Sequence, residues 1–263
     1  MSDPAQARVT AFYREARLAR RQLASLARPA EDFDARRYFR GVRDLGFYNV
    51  GAPVVRRMAR TIVLGHRTEW TVDHACRFAD ILIRERYLEA KGLGVEVLAR
   101  YRRTFTRALL PVWKRWLTEN HSANWATTDA ICDLLIGPLL LAEPTLVHRM
   151  PSWARDRNMW VRRASAVGLI PSVRRGQGVN TAYQVARMLH NDREDLIQKA
   201  VGWLLREAGK VDSSRLERYL RANGPRIPRT TVRYAIERFD DGKRLDLLLA
   251  TQPPSKDSNA RSR

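Results

Sequence analysis

Apolar residues recur at helical spacing along almost the whole chain. Near the N-terminus, Val9, Phe12, Tyr13, Ala16, Leu23 and Leu26 follow this spacing among arginines. They predict one long helix over 4–28, ended by Pro29. A second helix starts near Asp32 and carries Arg36, Arg37, Tyr38 and Phe39. The turn-rich run over 46–53 places Pro53 in the first turn of the next helix. Helices are then predicted over 53–64, 71–90 and 95–118, with Gly92 and Gly94 marking the break between the last two. Ser122, Ala123 and Asn124 stand where the N-terminal signal of a helix from Trp125 belongs. Pro144 opens a helix to Trp153. Asp156 or Asn158 caps a helix around Trp160, which stops at Pro171. After a loop holding Gly176 and Gly178, helices follow at 179–190, 194–209, 213–222, 228–238 and 241–250. Strand alternation and hairpin turns are missing from the pattern.

A longer period lies over this helical one. Asp129-Ala130, Arg163-Ala164, Lys199-Ala200 and Tyr234-Ala235 recur with 34, 36 and 35 residues between successive alanines. A fixed period of this size marks a helical repeat array. The expected fold is therefore all-α: a HEAT-like repeat solenoid of antiparallel helix pairs with a concave basic groove. One domain over 1–250 is expected, followed by a polar, disordered tail over 251–263 that contains Pro253-Pro254. If the repeats stack, Asp129, Arg163 and Lys199 share one surface.

Charge changes the picture more than composition does. The chain carries 48 Lys+Arg against 28 Asp+Glu, a net charge of +20. That excess points to a polyanion, chiefly nucleic acid. Cys76 and Cys132 are far apart and not in metal-ligand spacing, which suits a reducing cytoplasm. The start of the chain has no apolar signal core. The longest apolar piece, 131–142, contains Asp133 and is too short for a membrane span, so no membrane partner is expected.

The candidate chemistry sits on the repeat register. Trp125, Asp129 and Asp133 are four residues apart and near one helix face. Asp129 fits two readings at this point: a partner for a neighbouring Arg, or a carboxylate held beside an aromatic surface for catalysis or charge recognition. Arg162 and Arg163 point about 100° apart on a helix. The register selects Arg163 for the groove, while Arg162 matches Gln198 and Arg233 and suits hydrogen bonds between repeats. Lys199 and Trp203 lie one turn apart, and Arg206 and Glu207 suit salt bridges to a neighbouring helix. Rows of cations with exposed aromatics fit backbone binding and stacking rather than base reading. His66, His74, His121, His148 and His190 form no ligand cluster, and no phosphate loop or nucleophile elbow is present, so neither metal nor organic cofactor is expected.

Several of these motifs resemble one family. Trp125-x3-Asp129, Trp160-Val-Arg-Arg163-Ala and Ile197-Gln-Lys-Ala-Val-Gly-Trp203-Leu-Leu-Arg-Glu207 are similar to the DNA alkylation repair family of AlkD type, HEAT-like-repeat DNA glycosylases. Phe47-Tyr-Asn-Val-Gly-Ala-Pro53-Val-Val-Arg56 and Glu85-Arg86 add to the likeness, which spans roughly 35–240. The resemblance implies hydrolysis of the N-glycosidic bond of alkylated purines of the 3-methyladenine and 7-methylguanine types in double-stranded DNA. It places the catalytic carboxylate on Asp129, the flanking Trp on Trp125, the phosphate-contacting Arg on Arg163 and a second groove Trp on Trp203. It also implies a groove that engages the backbone, with the lesion able to stay stacked. Ala126, Thr127 and Thr128 depart from the bulkier or more polar residues that relatives often carry there. A monomer is expected. The alternative is a non-catalytic repeat protein for branched or damaged DNA, and a third reading is a scaffold for an acidic protein partner.

Overall fold

The structure, a computed structural model, describes residues 4–29, 35–39, 42 and 44–252. The start of the helix expected near Asp32 and residues 253–263 of the expected tail lie outside them; Thr251, expected to open that tail, is instead buried, its hydroxyl donating to the Leu247 carbonyl (2.7 Å). Among the described residues every regular element is helical, apart from a single bridge between Gly46 and Tyr87. The chain divides into two compact units, residues 1–139 and 140–263.

The first unit holds α1 (Pro4–Ser25), α2 (Ala52–Gly65), α3 (Val72–Ile83), α4 (Leu88–Ala99), α5 (Leu110–Thr118), α6 (Trp125–Ile131) and the start of α7 (Gly137–Ala142). In α1, Phe12, Ala16, Ala19 and Leu23 are buried and form a seam that packs toward α3, while Tyr13 and, just past the helix end, Leu26 face outward. The helix expected over 71–90 is broken at Arg84–Tyr87. There the Gly46 N–H donates to the Arg86 carbonyl (2.9 Å), and the Leu88 N–H donates to the Gly46 carbonyl (3.0 Å). A contact 40 residues distant in sequence thus takes the backbone groups that would have continued the helix. Gly92 and Gly94, expected as a break, lie inside α4. Gly94 is there for closeness: a Cβ would meet Leu82 Cβ at 3.1 Å and Ala79 Cα at 3.2 Å, so α3 and α4 pack tightly at this point.

Between α6 and α7, Cys132–Ile136 form a π turn. Pro138 accounts for it. Proline has no N–H for the carbonyl four residues back, and its ring crowds that carbonyl. The wider turn relieves the crowding, and the Gly137 N–H reaches back to Cys132 instead. Trp125–Ala142 thus runs as 18 helical residues of mean hydropathy 1.4, half of them buried in the fold. By length and composition alone this helix is long enough to cross a membrane. The apolar run over 131–142 understated it, because the helix also includes Trp125 through Ala130.

The second unit holds α8 (Met150–Trp153), α9 (Met159–Val167), α10 (Ile170–Val173), α11 (Val179–Met188), α12 (Asp195–Val211), α13 (Ser213–Asn223), α14 (Arg229–Ala235) and α15 (Asp241–Ala250). Asn158 caps α9, its side chain accepting from the Trp160 N–H at 2.8 Å. Pro171 does not stop a helix but sits in the first turn of α10, where its missing N–H is harmless. Gly176 and Gly178 turn the chain with φ of 72° and 66°. The long period is realised here: α12 packs on α9 and on α14, and Ala164, Ala200 and Ala235 are all buried at these contacts. The Thr231 hydroxyl donates to the Gln198 carbonyl (2.9 Å), tying α14 to α12. The fold is an all-α HEAT-like repeat fold.

Candidate functional site

In the first unit, the side chains of interest lie on α6, whose start is heavily determined. The Asn124 side chain accepts from the Thr127 N–H (2.8 Å) and donates to the Ser122 carbonyl (2.6 Å). Such a cap satisfies a donor that the helix itself leaves open. The preceding residue, Ala123, has φ 46°, a left-handed conformation that costs a Cβ-bearing residue on the order of 1 kcal/mol or more. Lys91 holds the loop from below: its ammonium donates to the carbonyls of Ile83 (2.7 Å) and His121 (2.6 Å). It is 5% exposed, and burial pulls it down to about 8, with the Glu85 charge opposing.

That depressed value has a measurable sign. Between about pH 8 and the ordinary 10.5, the unfolded chain holds a proton that the folded chain has released. Folding is therefore favoured as pH rises through this window, and the penalty of the buried charge is present in full below it. The difference in denaturation midpoint between the native chain and Lys91→Met is expected to shift in favour of the native chain from pH 7.5 to 9.5. A pH-independent difference would remove Lys91 as the cause.

Trp125 is pinned from two sides. Its Nε1–H donates to the Tyr38 carbonyl (3.0 Å), and Phe39 stacks on its ring at 5.3 Å and 14°. Asp129 follows one turn on and is partly exposed; Asp133, in the π turn, is exposed. Beside Trp125 a cavity of about 670 Å³ opens among α2, α4 and α6. Trp125 and Ala130 line it, while Asp129 does not.

In the second unit, Arg163 of α9 is 5% exposed, and its guanidinium donates to the Leu196 carbonyl at the start of α12. Arg162 pairs with Asp192 (2.6 Å) and donates to the carbonyls of Asp156 and Arg157. Both arginines thus make bonds within the fold. The expected division, with only Arg162 so used, is not what the structure shows. Lys199 is 40% exposed and bonds to Asp195 at 2.6 Å, which holds it above its ordinary value. Trp203 is half-buried, and its indole Nε1–H finds no acceptor among the described residues.

Glu207, one turn past Trp203, is a buried hub. It accepts from Arg174 (3.1 Å) and Lys210 (2.8 Å). Burial pushes its carboxyl up, but the bonds from Lys210 and Arg174 outweigh that and hold it below the usual range. Arg174 lies 6.0 Å over the Trp203 ring, within cation–π reach. Arg206 bridges to Glu237 in the turn after α14, where the sequence suggested a partner on a neighbouring helix. Arg174 and Lys210 escaped the sequence reading because neither falls on the repeat register. The buried partner Glu207 was their one local signal.

The family model for the DNA alkylation repair enzyme matches residues 19–239. The chain belongs to the DNA alkylation repair enzyme family. A solved structure described as a predicted DNA alkylation repair enzyme from Enterococcus faecalis has a TM-score of 0.69 at 15% identity, covering 81% of this chain and 95% of that one. At that identity the likeness speaks for the fold. Among curated proteins, none matches the chain.

For this DNA alkylation repair family member, DNA is the implied substrate, and the basic excess of the chain suits it. Among the described residues, no group of three or more His, Cys, Asp or Glu is placed to hold a metal ion. Cys76 and Cys132 are buried free thiols, and burial, first of all, pushes Cys76 up to about 11. A thiol held protonated in this way is a poor nucleophile.

Proposed function

We propose that this protein is a DNA glycosylase that releases cationic N-alkylated purines, of the 3-methyladenine and 7-methylguanine types, from double-stranded DNA. In this reading it works as a cytoplasmic monomer without a cofactor, in base excision repair. One observation carries it. Asp129 is a partly exposed carboxylate one turn from a pinned Trp, on a helix whose start is capped, strained and tied down.

The chemistry needs little more. An N-alkylated purine is already positively charged and leaves without protonation. The barrier is the positive charge that grows on the deoxyribose as the bond breaks. A fixed carboxylate stabilises that charge and orients the attacking water. Trp125 offers a ring that favours cations. Lys199 and Trp203 supply a phosphate contact and a stacking surface. Arg163 joins them by exchanging the Leu196 carbonyl for a phosphate oxygen, and Arg162 holds the turn from which Arg163 extends.

The test is release of free alkylbase from methylated duplex DNA by the purified protein, measured by chromatography. Release supports the reading, and its absence removes it. The second reading, a DNA-binding repeat protein without catalysis, is favoured by Phe39 covering Trp125 and by Arg163 bonding inward. It predicts strongly salt-dependent duplex binding with no base released.

A further inference from the structure

We propose that Glu89, in the first turn of α4, is a positioning residue for Trp125: it fixes the segment 46–50, and that segment braces the ring on which the indole rests. The proposal rests on the glycosylase reading for the reaction that the indole serves.

A carboxylate taken out of water needs a cation or several hydrogen bonds to hold its charge. Glu89 is 7% exposed and has no salt bridge among the described residues. Its bonds go to backbone 41 and 39 residues away: Oε2 accepts from the Tyr48 N–H (3.1 Å) and Oε1 from the Val50 N–H (3.2 Å). Asn49, between those two donors, has φ 55°. A left-handed residue turns the N–H groups that flank it toward one point, and such a backbone nest takes an anion. Asparagine is one of the few residues with a side chain that adopts this conformation readily. The Asn49 side chain also donates to the Arg28 carbonyl (3.2 Å), and the Arg28 N–H donates to the Tyr48 carbonyl (2.9 Å). The segment is thus tied to the chain just past α1 as well as to Glu89.

From this segment the contacts run on to the site. Phe47 meets Phe39 at 5.4 Å and 37°, and Phe39 stacks on Trp125. Tyr38, whose carbonyl takes the indole N–H, is the residue before Phe39. Both holds on Trp125 therefore lie on one dipeptide, and Phe47 braces it. Glu89, Val50, Phe39 and Trp125 all line one cavity, so this line of contacts borders a single space.

Two features separate this role from support of the fold at large. The segment is held at its start without Glu89: Gly46 bonds to Arg86 and Leu88, and the Tyr48 ring lies on Tyr87 at 4.0 Å and 11°. Helix α4 also packs closely on α3 at Gly94, whatever position 89 carries. Loss of the carboxylate then frees 47–50 locally and leaves the unit folded.

The test uses the full chain with isotopically labelled tryptophan. Each of the seven Trp residues gives one indole signal, and that of Trp125 is assigned from its loss in Trp125→Phe. Glu89→Gln keeps the size of the side chain but sets an amide donor against one of the two backbone N–H groups. It is expected to move the Trp125 signal and leave the others in place. Single-turnover base release is expected to slow about 10- to 100-fold, with duplex affinity within about twofold of native. Phe47→Ala is expected to move the same signal. The double variant is expected to release base no more slowly than the slower single one, because the two residues act in series. A lowered melting temperature with the Trp125 signal unmoved reduces Glu89 to support of the fold and overturns the proposal. A moved signal with native release, or losses that add in the double variant, also overturns it. Should Glu89→Gln not fold, Phe47→Ala decides, and an unmoved Trp125 signal there is fatal. If the native chain releases no base, the glycosylase reading falls and the indole signals alone decide the positioning. Native release by Glu89→Gln with an unmoved signal keeps that reading and removes Glu89 from it.

Discussion

Asp129→Asn is expected to lose 7-methylguanine release from methylated DNA by about 100- to 1,000-fold, the usual effect of removing one preorganised charge at a developing transition-state charge. Asparagine keeps the shape of the side chain and removes only its negative charge. Duplex affinity should therefore be unchanged or tighter, since a protein of net +20 loses one repulsive charge against phosphate. Single-turnover release and duplex binding, measured on the same preparation, separate the two quantities. Release at the native rate would remove Asp129 from the chemistry. A joint loss of release and binding would instead make it a residue of the fold. The loop before it argues for the first outcome: Asn124, Lys91 and the left-handed Ala123 all fix the start of α6 without using Asp129.

The second large effect is on stability. Gly202→Val is expected to destabilise the protein by about 3 kcal/mol or more. A Cβ at this position would lie 2.4 Å from Tyr234 Cβ and 2.8 Å from the Thr231 carbonyl oxygen. Both atoms belong to or adjoin backbone and cannot rotate away, so α14 must move off α12. Gly209 supplies the contrast. Its closest contact, also 2.4 Å, is the Cδ2 of Leu216, the far end of a flexible side chain. Gly209→Ala should cost well under half as much. Denaturant midpoints of the two variants check this, and equal losses would mean that α12 and α14 adjust more freely than their packing indicates.

The sequence made the local determinants visible. Asn124 and Asn158 stand as caps, Pro53 sits in a first turn, Gly176 and Gly178 turn the chain, and Ala164, Ala200 and Ala235 mark the repeat contacts. Each of these depends on neighbours a few residues away or on a fixed period. Pro171, in a first turn where a stop was expected, is a local misreading; the others that bear on the site are tertiary. Gly94 resembled a helix break because the reason for it, Ala79 and Leu82, lies on another helix. The break at Arg84–Tyr87 comes from Gly46, and the inward turn of Arg163 from a carbonyl on α12. A register states which face a side chain leaves, but not what covers that face. For the same reason the Trp125–Asp129 spacing was legible and the cavity beside it was not: its walls come from three helices and from the segment around Phe39.

The bond from Trp125 to the Tyr38 carbonyl closes a loop of 87 residues. Contacts of such span form late in folding, since their chain-closure entropy is repaid only after the elements between them are in place. Helix α6 can thus form with its cap complete while the indole is still unanchored. A shortened chain beginning after Phe39 would retain Asn124, Asp129 and the contacts of α6 with α4, yet leave Trp125 without its two holds. Expression trimming at the N-terminal end therefore carries a double hazard: the indole loses its orientation, and α3 loses the buried α1 seam of Phe12, Ala16, Ala19 and Leu23.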